Sequence, residues 1–392
     1  MVMIMKTLFT NANIYNTAAE RFERGALLTE NGRIIGFSGD ADTVVDCGGA
    51  YMIPGLIDMH THGRGGYEAT DADADGYIEM AKAYAKAGTT SFTPTMMSVP
   101  LADLERSVDA CVTAKKAQDA SDCYLGANIL GVHLEGRYIS TAKKGAHDPK
   151  FITPLDPDEL TALIERSRAG DSPITRFHTI VAPELPGADA FITRAKELGA
   201  TVSIGHSNAT CEECMHAMEL GADSYTHLFN AMSALTHRAP GCVGAALSTE
   251  AYAELISDGR HVVPEVVRIV YRAKAKEKLV LITDSVPPAG LPDGEYIVGG
   301  ARAICRDGAV WLPDGTLNGS IISMYDALTR FMQFNGITLE KALPYATINP
   351  ARLIKADDEV GSLEIGKRAD FILLQDDKLT IDRIYVNANP VE

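Results

Sequence analysis

The sequence predicts an α/β protein: a (β/α)8 barrel of the TIM type, carrying a small β-sandwich domain built from both chain termini. Three observations predict it. The two ends of the chain read as short strands, the middle alternates strand and helix, and no Gly-rich phosphate loop follows the first strand of that middle. The 392 residues divide accordingly, with 1–51 and 360–392 as the small domain and 52–359 as the barrel. A barrel of this kind takes about 250 residues, which leaves enough chain for one smaller unit.

At the first end Thr7–Asn11 alternates, and Ala26–Thr29 runs through Glu30-Asn31-Gly32-Arg33 into Ile34–Phe37. Asn-Gly between two apolar runs is a two-residue hairpin signal. Gly361-Ser362-Leu363, Ala369–Leu374 and Ile384–Val386 supply strands from the other end. In the middle the strands are Met52–Met59, Thr89–Thr93, Ile129–Glu135, Thr175–Ala182, Thr201–His206, Ser224–Leu228, Ala253–Asp258 and Leu279–Asp284. Amphipathic stretches separate most of them: Gly76–Ala87, Leu101–Gln118, Pro157–Ala169, Ala188–Leu198, Cys211–Leu220 and Pro264–Lys276. An open doubly wound sheet is the competing architecture, but Gly63, Gly65 and Gly66 do not fit the GxGxxG spacing it would use.

Composition narrows the function. Hydrophobic residues make up 46% and charged residues 22%, as in an ordinary globular chain. A formal net charge of −16 argues against nucleic acid and anionic membrane surfaces as partners, and an anionic ligand would need its own local cations. No apolar run of about 18 residues offers a spanning helix, and Met1–Lys6 is too short for a secretory h-region. Seven scattered cysteines form no disulfide framework and point to a reduced, cytoplasmic setting. Cys211 and Cys214 make a CxxC with no second pair, on a segment that reads as helix, so a structural role is expected of them.

In a parallel barrel the chemistry sits at the C-terminal ends of the strands. Strand one ends Asp58-Met59-His60-Thr61-His62, strand three His133-Leu134-Glu135, strand five at His206; strand six contains His227, and strand eight ends at Asp284. His60 and His62 are two apart, so both imidazoles point to one face of an extended segment. Four histidines and two carboxylates on one rim suit a divalent metal, Zn²⁺ first and Fe²⁺, Mn²⁺ or Co²⁺ as alternatives, one or two ions per chain. Such a metal generates a nucleophile from water, and Asp284 is placed to act as general base and then acid. A helix N-cap role for Asp284 is the structural alternative. His133 reads as a core residue behind the ligands, His178 as core and His216 as surface.

The chain resembles the amidohydrolase superfamily, and within it the N-acetylglucosamine-6-phosphate deacetylase family. The resemblance runs nearly end to end. It rests on Pro54-Gly55-Leu56-Ile57-Asp58-Met59-His60-Thr61-His62-Gly63, on His133-Leu134-Glu135-Gly136, and on Lys143-Lys144-Gly145-Ala146-His147. It continues in Ser203-Ile204-Gly205-His206-Ser207, in Thr226-His227-Leu228-Phe229-Asn230-Ala231-Met232, and in Ser257-Asp258-Gly259-Arg260-His261. Thr283-Asp284, Gly315-Thr316-Leu317-Asn318-Gly319-Ser320 and Asn349-Pro350-Ala351 complete it. Strand four offers no lysine to bridge two metals, so the bridging carboxylate would be Glu135.

The resemblance implies His206, His227 and Glu135 as the principal metal site, with His60 and His62 holding a second ion. It implies Asp284 as catalytic acid/base and His147 as the residue that helps polarise an acetamide carbonyl. Ala146, His147, Asn230, Ala231, Arg238, His261, Leu317, Asn318 and Gly319 are implied to bind a phosphorylated N-acetyl amino sugar. Arg238 would reach in from the neighbouring subunit of a homodimer, whereas Lys143 and Lys144 read as a solvated pair. Two departures from the family pattern, Arg137-Tyr138 and Ser285-Val286-Pro287-Pro288, bear on the sugar more than on the chemistry. They leave a galactosamine epimer or another N-acetyl sugar as the alternative substrate, with Arg137 expected to contact it. A cyclic-amide hydrolase and a non-catalytic scaffold are the remoter readings.

Overall fold

A computed structural model describes residues 5–121, 124–375 and 377–392. The reading of the first residues as too short for a leader, and Cys123, lie wholly or partly outside the described residues.

The central element is a parallel barrel. Its eight strands are Leu56–Thr61, Thr89–Met96, Val132–Leu134, Phe177–Val181, Thr201–Ile204, Ser224–Tyr225, Tyr252–Ile256 and Leu279–Ile282, each paired in parallel with the next. Strands one and eight meet without a continuous ladder. They are joined by side chain and rim, where Asp58 accepts from the Thr283 hydroxyl and amide, and Asp284 N donates to His60 O at 2.9 Å. Buried Val, Ile and Leu on both faces of the strands pack against the ring of helices, as a fully covered parallel sheet requires. Helix starts follow local chemistry: Asp73, Asp156 and Thr210 each accept from first-turn amides, Thr210 in a reciprocal capping box with Glu213.

The predicted hairpin forms. Arg21–Glu30 and Arg33–Gly36 flank Asn31 (φ 51°) and Gly32 (φ 72°), the left-handed pair that a tight hairpin needs. The terminal strands form one branched eight-stranded hydrogen-bonded sheet that folds over on itself as a sandwich, so that the Phe9 ring meets those of Phe371 and Tyr385 at 4.9 and 5.0 Å across its core. Lys6–Asn16 is long enough to pair along its first part with Thr43–Asp46 and further on with Tyr51–Pro54, so the sheet stays continuous. Phe9, Leu27, Ile34, Met52, Phe371 and Tyr385 form its core.

Several boundaries differ from expectation. Met52–Met59 is two strands, because Tyr51–Pro54 pairs antiparallel with Phe371–Leu374 and only Leu56–Thr61 enters the barrel. Ile129–Glu135 is interrupted, with pieces at Asn128–Ile129 and Val132–Leu134. Gly361–Leu363 is a turn region and forms no strand. The chain after strand eight adds a three-stranded antiparallel sheet, Gly294–Val298, Ala301–Arg306 and Ala309–Trp311, which the sequence reading did not include. No helix starts at Asp284; the next one is Met324–Asn335, so the N-cap alternative falls.

Candidate active site

The expected residues meet at the C-terminal rim, around the Glu135 carboxylate. His62 Nε2 lies 2.8 Å from Glu135 Oε2 and 3.1 Å from Asp284 Oδ1. His227 and His206 Nε2 lie 2.9 and 3.2 Å from Glu135 Oε1, and His60 Nε2 3.4 Å from the same oxygen. Among the described residues two overlapping groups can hold a metal ion: His60, His62, Glu135 and Asp284, and Glu135, His206 and His227. Glu135 is common to both.

Backbone conformation aims these groups. His206, His227 and Asp284 all have positive φ, at 46°, 28° and 50°. L-residues enter that region at a cost of about 1–3 kcal/mol and cluster there at functional sites. Gly145, at φ 55°, passes so close that an added Cβ would lie 3.0 Å from His206 Cε1.

The outer ring nitrogens fix the tautomers. His60 Nδ1–H donates to Glu254 at 2.9 Å, His62 Nδ1–H to Thr95 O at 3.1 Å, and His206 Nδ1–H to Lys143 O at 2.8 Å. The Nε2 atoms of all three face the Glu135 carboxylate, and those of His60 and His62 also face Asp284. His60 Nε2 is fully buried and, among the described residues, is left without a hydrogen bond, its nearest Glu135 oxygen standing at 3.4 Å. The donor set is thus the one a divalent metal takes. Protons are drawn in the same way. Burial would lower the His62 imidazole, yet Glu135 and Asp284 hold it up to about 9. Burial would raise Asp284, but the His62 hydrogen bond and the His60 and His62 charges keep its carboxyl below the usual range.

His147 is oriented the other way round. Its Nδ1 accepts from Ser98, with the hydroxyl at 3.0 Å and the amide at 3.3 Å, which leaves Nε2–H as a donor toward the site. Burial lowers its pKa to about 4, so the ring is a neutral donor at pH 7.

A cavity of about 500 Å³ opens above these groups. Ala146, His147, Asn230, Ala231, His261, Leu317, Asn318 and Gly319 all line it. Lys143 and Lys144, read as solvated, line it too, because the turn at Gly145 folds their segment over the mouth. Asp258 clamps His261 by accepting from its backbone amide at 2.8 Å and from Nδ1–H at 2.6 Å. Arg238 is not brought in; it stands on an exposed loop outside the cavity of its own chain.

Arg137 overturns its expectation. Its guanidinium forks onto Glu159 at 2.8 and 3.1 Å and donates to Val99 O at 2.7 Å, so it points away from the cavity. His133 and His178 are buried beneath the rim and His216 is exposed, as read. Sequence reasoning missed Glu254 and Ser98, the outer partners of His60 and His147. A lone carboxylate inside the apolar run Ala253–Ile256 was the available signal for Glu254.

A parallel barrel with histidines and carboxylates gathered at its rim is the architecture of a metal-dependent hydrolase, and comparison agrees. The profile of the amidohydrolase family matches residues 51–391, and the chain belongs to that family. It is 35% identical over 340 residues to an N-acetylgalactosamine-6-phosphate deacetylase of Escherichia coli O157:H7, covering 86% of each chain. Over 400 residues it is 34% identical to an N-acetylglucosamine-6-phosphate deacetylase of Danio rerio, covering 98% of this chain and 96% of that one. Among solved structures, a variant Mycobacterium smegmatis N-acetyl-D-glucosamine-6-phosphate deacetylase in complex with N-acetyl-D-glucosamine-6-phosphate matches with a TM-score of 0.87. Identity there is 27%, covering 99% of each chain. Within the amidohydrolases, the chain belongs to the N-acetylglucosamine-6-phosphate deacetylase family.

Proposed function

We propose that the chain hydrolyses the acetamide of N-acetylglucosamine 6-phosphate, giving acetate and glucosamine 6-phosphate. The observation that carries this reading is Asp284 within 3.1 Å of His62, at the floor of a cavity that also presents His261, Asn230 and Ala231. His60, His62, Glu135, His206 and His227 would hold one or two divalent ions, Zn²⁺ first, with Fe²⁺, Mn²⁺ and Co²⁺ as alternatives. A bound ion lowers the pKa of its water to about 7 and polarises the carbonyl. Asp284 takes the proton of the attacking water and returns it to the departing amine. His147 Nε2–H donates to the carbonyl oxygen as negative charge develops there. His261, with Lys143 and Lys144 lining the same cavity, answers the phosphate dianion that a chain of net charge −16 would otherwise repel. That remote anchor orients the acetamide.

Arg238 completes the phosphate site from the neighbouring subunit of a homodimer; its exposed loop, with Leu235 52% exposed beside it, supports this. Six free cysteines among the described residues support a reducing, cytoplasmic setting. The galactosamine epimer is the second reading, favoured by the Escherichia coli relative.

The test is acetate release from both phosphorylated epimers and from unphosphorylated N-acetylglucosamine, using protein stripped of metal and reloaded with each ion. Turnover that needs both metal and phosphate is expected. Metal-loaded protein inert toward every phosphorylated amino sugar would overturn the reading. Mixing Arg238→Ala with Asp284→Asn chains should restore part of the activity neither has alone, if the site is shared.

A further inference from the structure

Away from the rim chemistry, two short helices bring thiols together. Cys214 lies on the helix Cys211–Glu219 and Cys242 in the first turn of the helix Gly241–Ser248; both are buried. Their sulfurs are 3.5 Å apart, and the Cys214 thiol donates to Cys242. The CxxC spacing therefore misleads: the partner of Cys214 is 28 residues away, not three. Cys242 Sγ also lies 3.5 Å from the Ser207 hydroxyl and 3.6 Å from the Ser207 and Ala209 carbonyls. Its amide donates to Ser233 Oγ at 2.8 Å. The Cys214 bond, helped by Ser207 and Ser233, outweighs burial and draws the Cys242 thiol down to about 6. Cys211 stands one turn earlier on the first helix and is half-buried.

We infer that Cys214 and Cys242 form an oxidation site, which closes to a disulfide on reaction with a hydroperoxide. The Cys242 sulfur attacks hydrogen peroxide while its thiol proton passes to the departing oxygen: an S–O bond forms, the O–O bond breaks, and that oxygen leaves as water. The Cys214 sulfur then attacks the resulting sulfenic sulfur. The S–S bond forms, the S–O bond breaks, and a second water leaves. Two thiols lose two electrons and two protons, and one hydrogen peroxide becomes two waters. A disulfide needs about 2.05 Å between sulfurs, so closure shortens the present gap by about 1.5 Å. Cys242 Sγ stands 3.5 Å from the hydroxyl of Ser207, the residue following His206.

The experiment treats the full chain with hydrogen peroxide, alkylates remaining thiols after denaturation, and maps peptides by mass spectrometry without reduction. A cross-linked pair containing Cys214 and Cys242, two hydrogens lighter than its separate peptides and released by dithiothreitol, is expected. It should persist in Cys211→Ser and vanish in Cys242→Ser. Full alkylation of both thiols after peroxide, or a Cys211–Cys214 link in their place, would overturn the inference.

Discussion

Glu254 and Arg137 are both buried charged side chains with opposite meanings. Glu254 is wholly buried, accepts from His60 Nδ1 and from His227 N at 3.2 Å, and so holds two candidate ligands at once. Removing such an outer partner typically costs 10–100-fold in metal affinity or activity. Glu254→Gln should therefore lose roughly that factor in bound metal after dialysis, measured by elemental analysis, while the fold persists. Arg137 touches no candidate ligand. Its side chain and that of Glu159 are 8% and 13% exposed, and Tyr138 also donates to Glu159 at 2.7 Å. Arg137→Ala leaves a buried carboxylate without its cation, a loss of about 3–5 kcal/mol. Denaturant unfolding should show that loss while KM stays unchanged; a raised KM with intact stability would return Arg137 to the substrate. The rim histidines were legible because strand ends can be placed from periodicity and imidazoles counted there. The positive φ at His206, His227 and Asp284 was not, since nothing local in those residues favours it.

Among the elements, the sheet spanning Gly294–Trp311 matters most for access. Val298, Ala303, Cys305 and Val310 pack on Val286, and the chain beyond it returns as Thr316–Gly319 to line the cavity. Its hairpin tip is fastened by Glu68, whose carboxylate accepts from Gly299 N at 2.9 and 3.0 Å. The tip rests on Met97, another lining residue. Glu68→Ala should free the tip and raise KM roughly tenfold, the factor about 1.4 kcal/mol makes, with kcat little changed. Steady-state kinetics over a range of substrate concentrations spanning KM would show it; a fall in kcat alone would contradict a positioning role. This sheet was missed because its strands are short and half-exposed, so their alternation is weak. Gly299-Gly300, both left-handed, was its readable turn signal. The barrel was easier to read, since its strand and helix segments alternate at regular spacing and several of its helices begin at capping residues. Tyr51–Pro54 and Leu56–Thr61 merged into one apolar run because hydrophobicity does not record which sheet a strand joins.

For the molecule as a whole, the two sheets are coupled through Asp370. It is buried, accepts from Asn128 at 2.9 Å and from Asn387 N at 2.7 Å, and burial raises its carboxyl from 3.8 to about 6. The folded state thus binds a proton the unfolded chain has released between those values. This contribution is fully present below about pH 4 and is lost as pH rises through about 6, worth about 3 kcal/mol by linkage. Stability of wild type relative to Asp370→Asn should decline across that window; parallel curves in urea titrations at each pH would refute it. The same seam has a consequence for synthesis on the ribosome. Tyr51–Pro54 is translated long before its antiparallel neighbour Phe371–Leu374. At about 5–20 residues per second that edge waits on the order of tens of seconds with its amides and carbonyls unpaired. Throughout that interval the nascent chain presents an open β-edge, the surface on which chaperone capture and strand-swapped association between neighbouring chains compete.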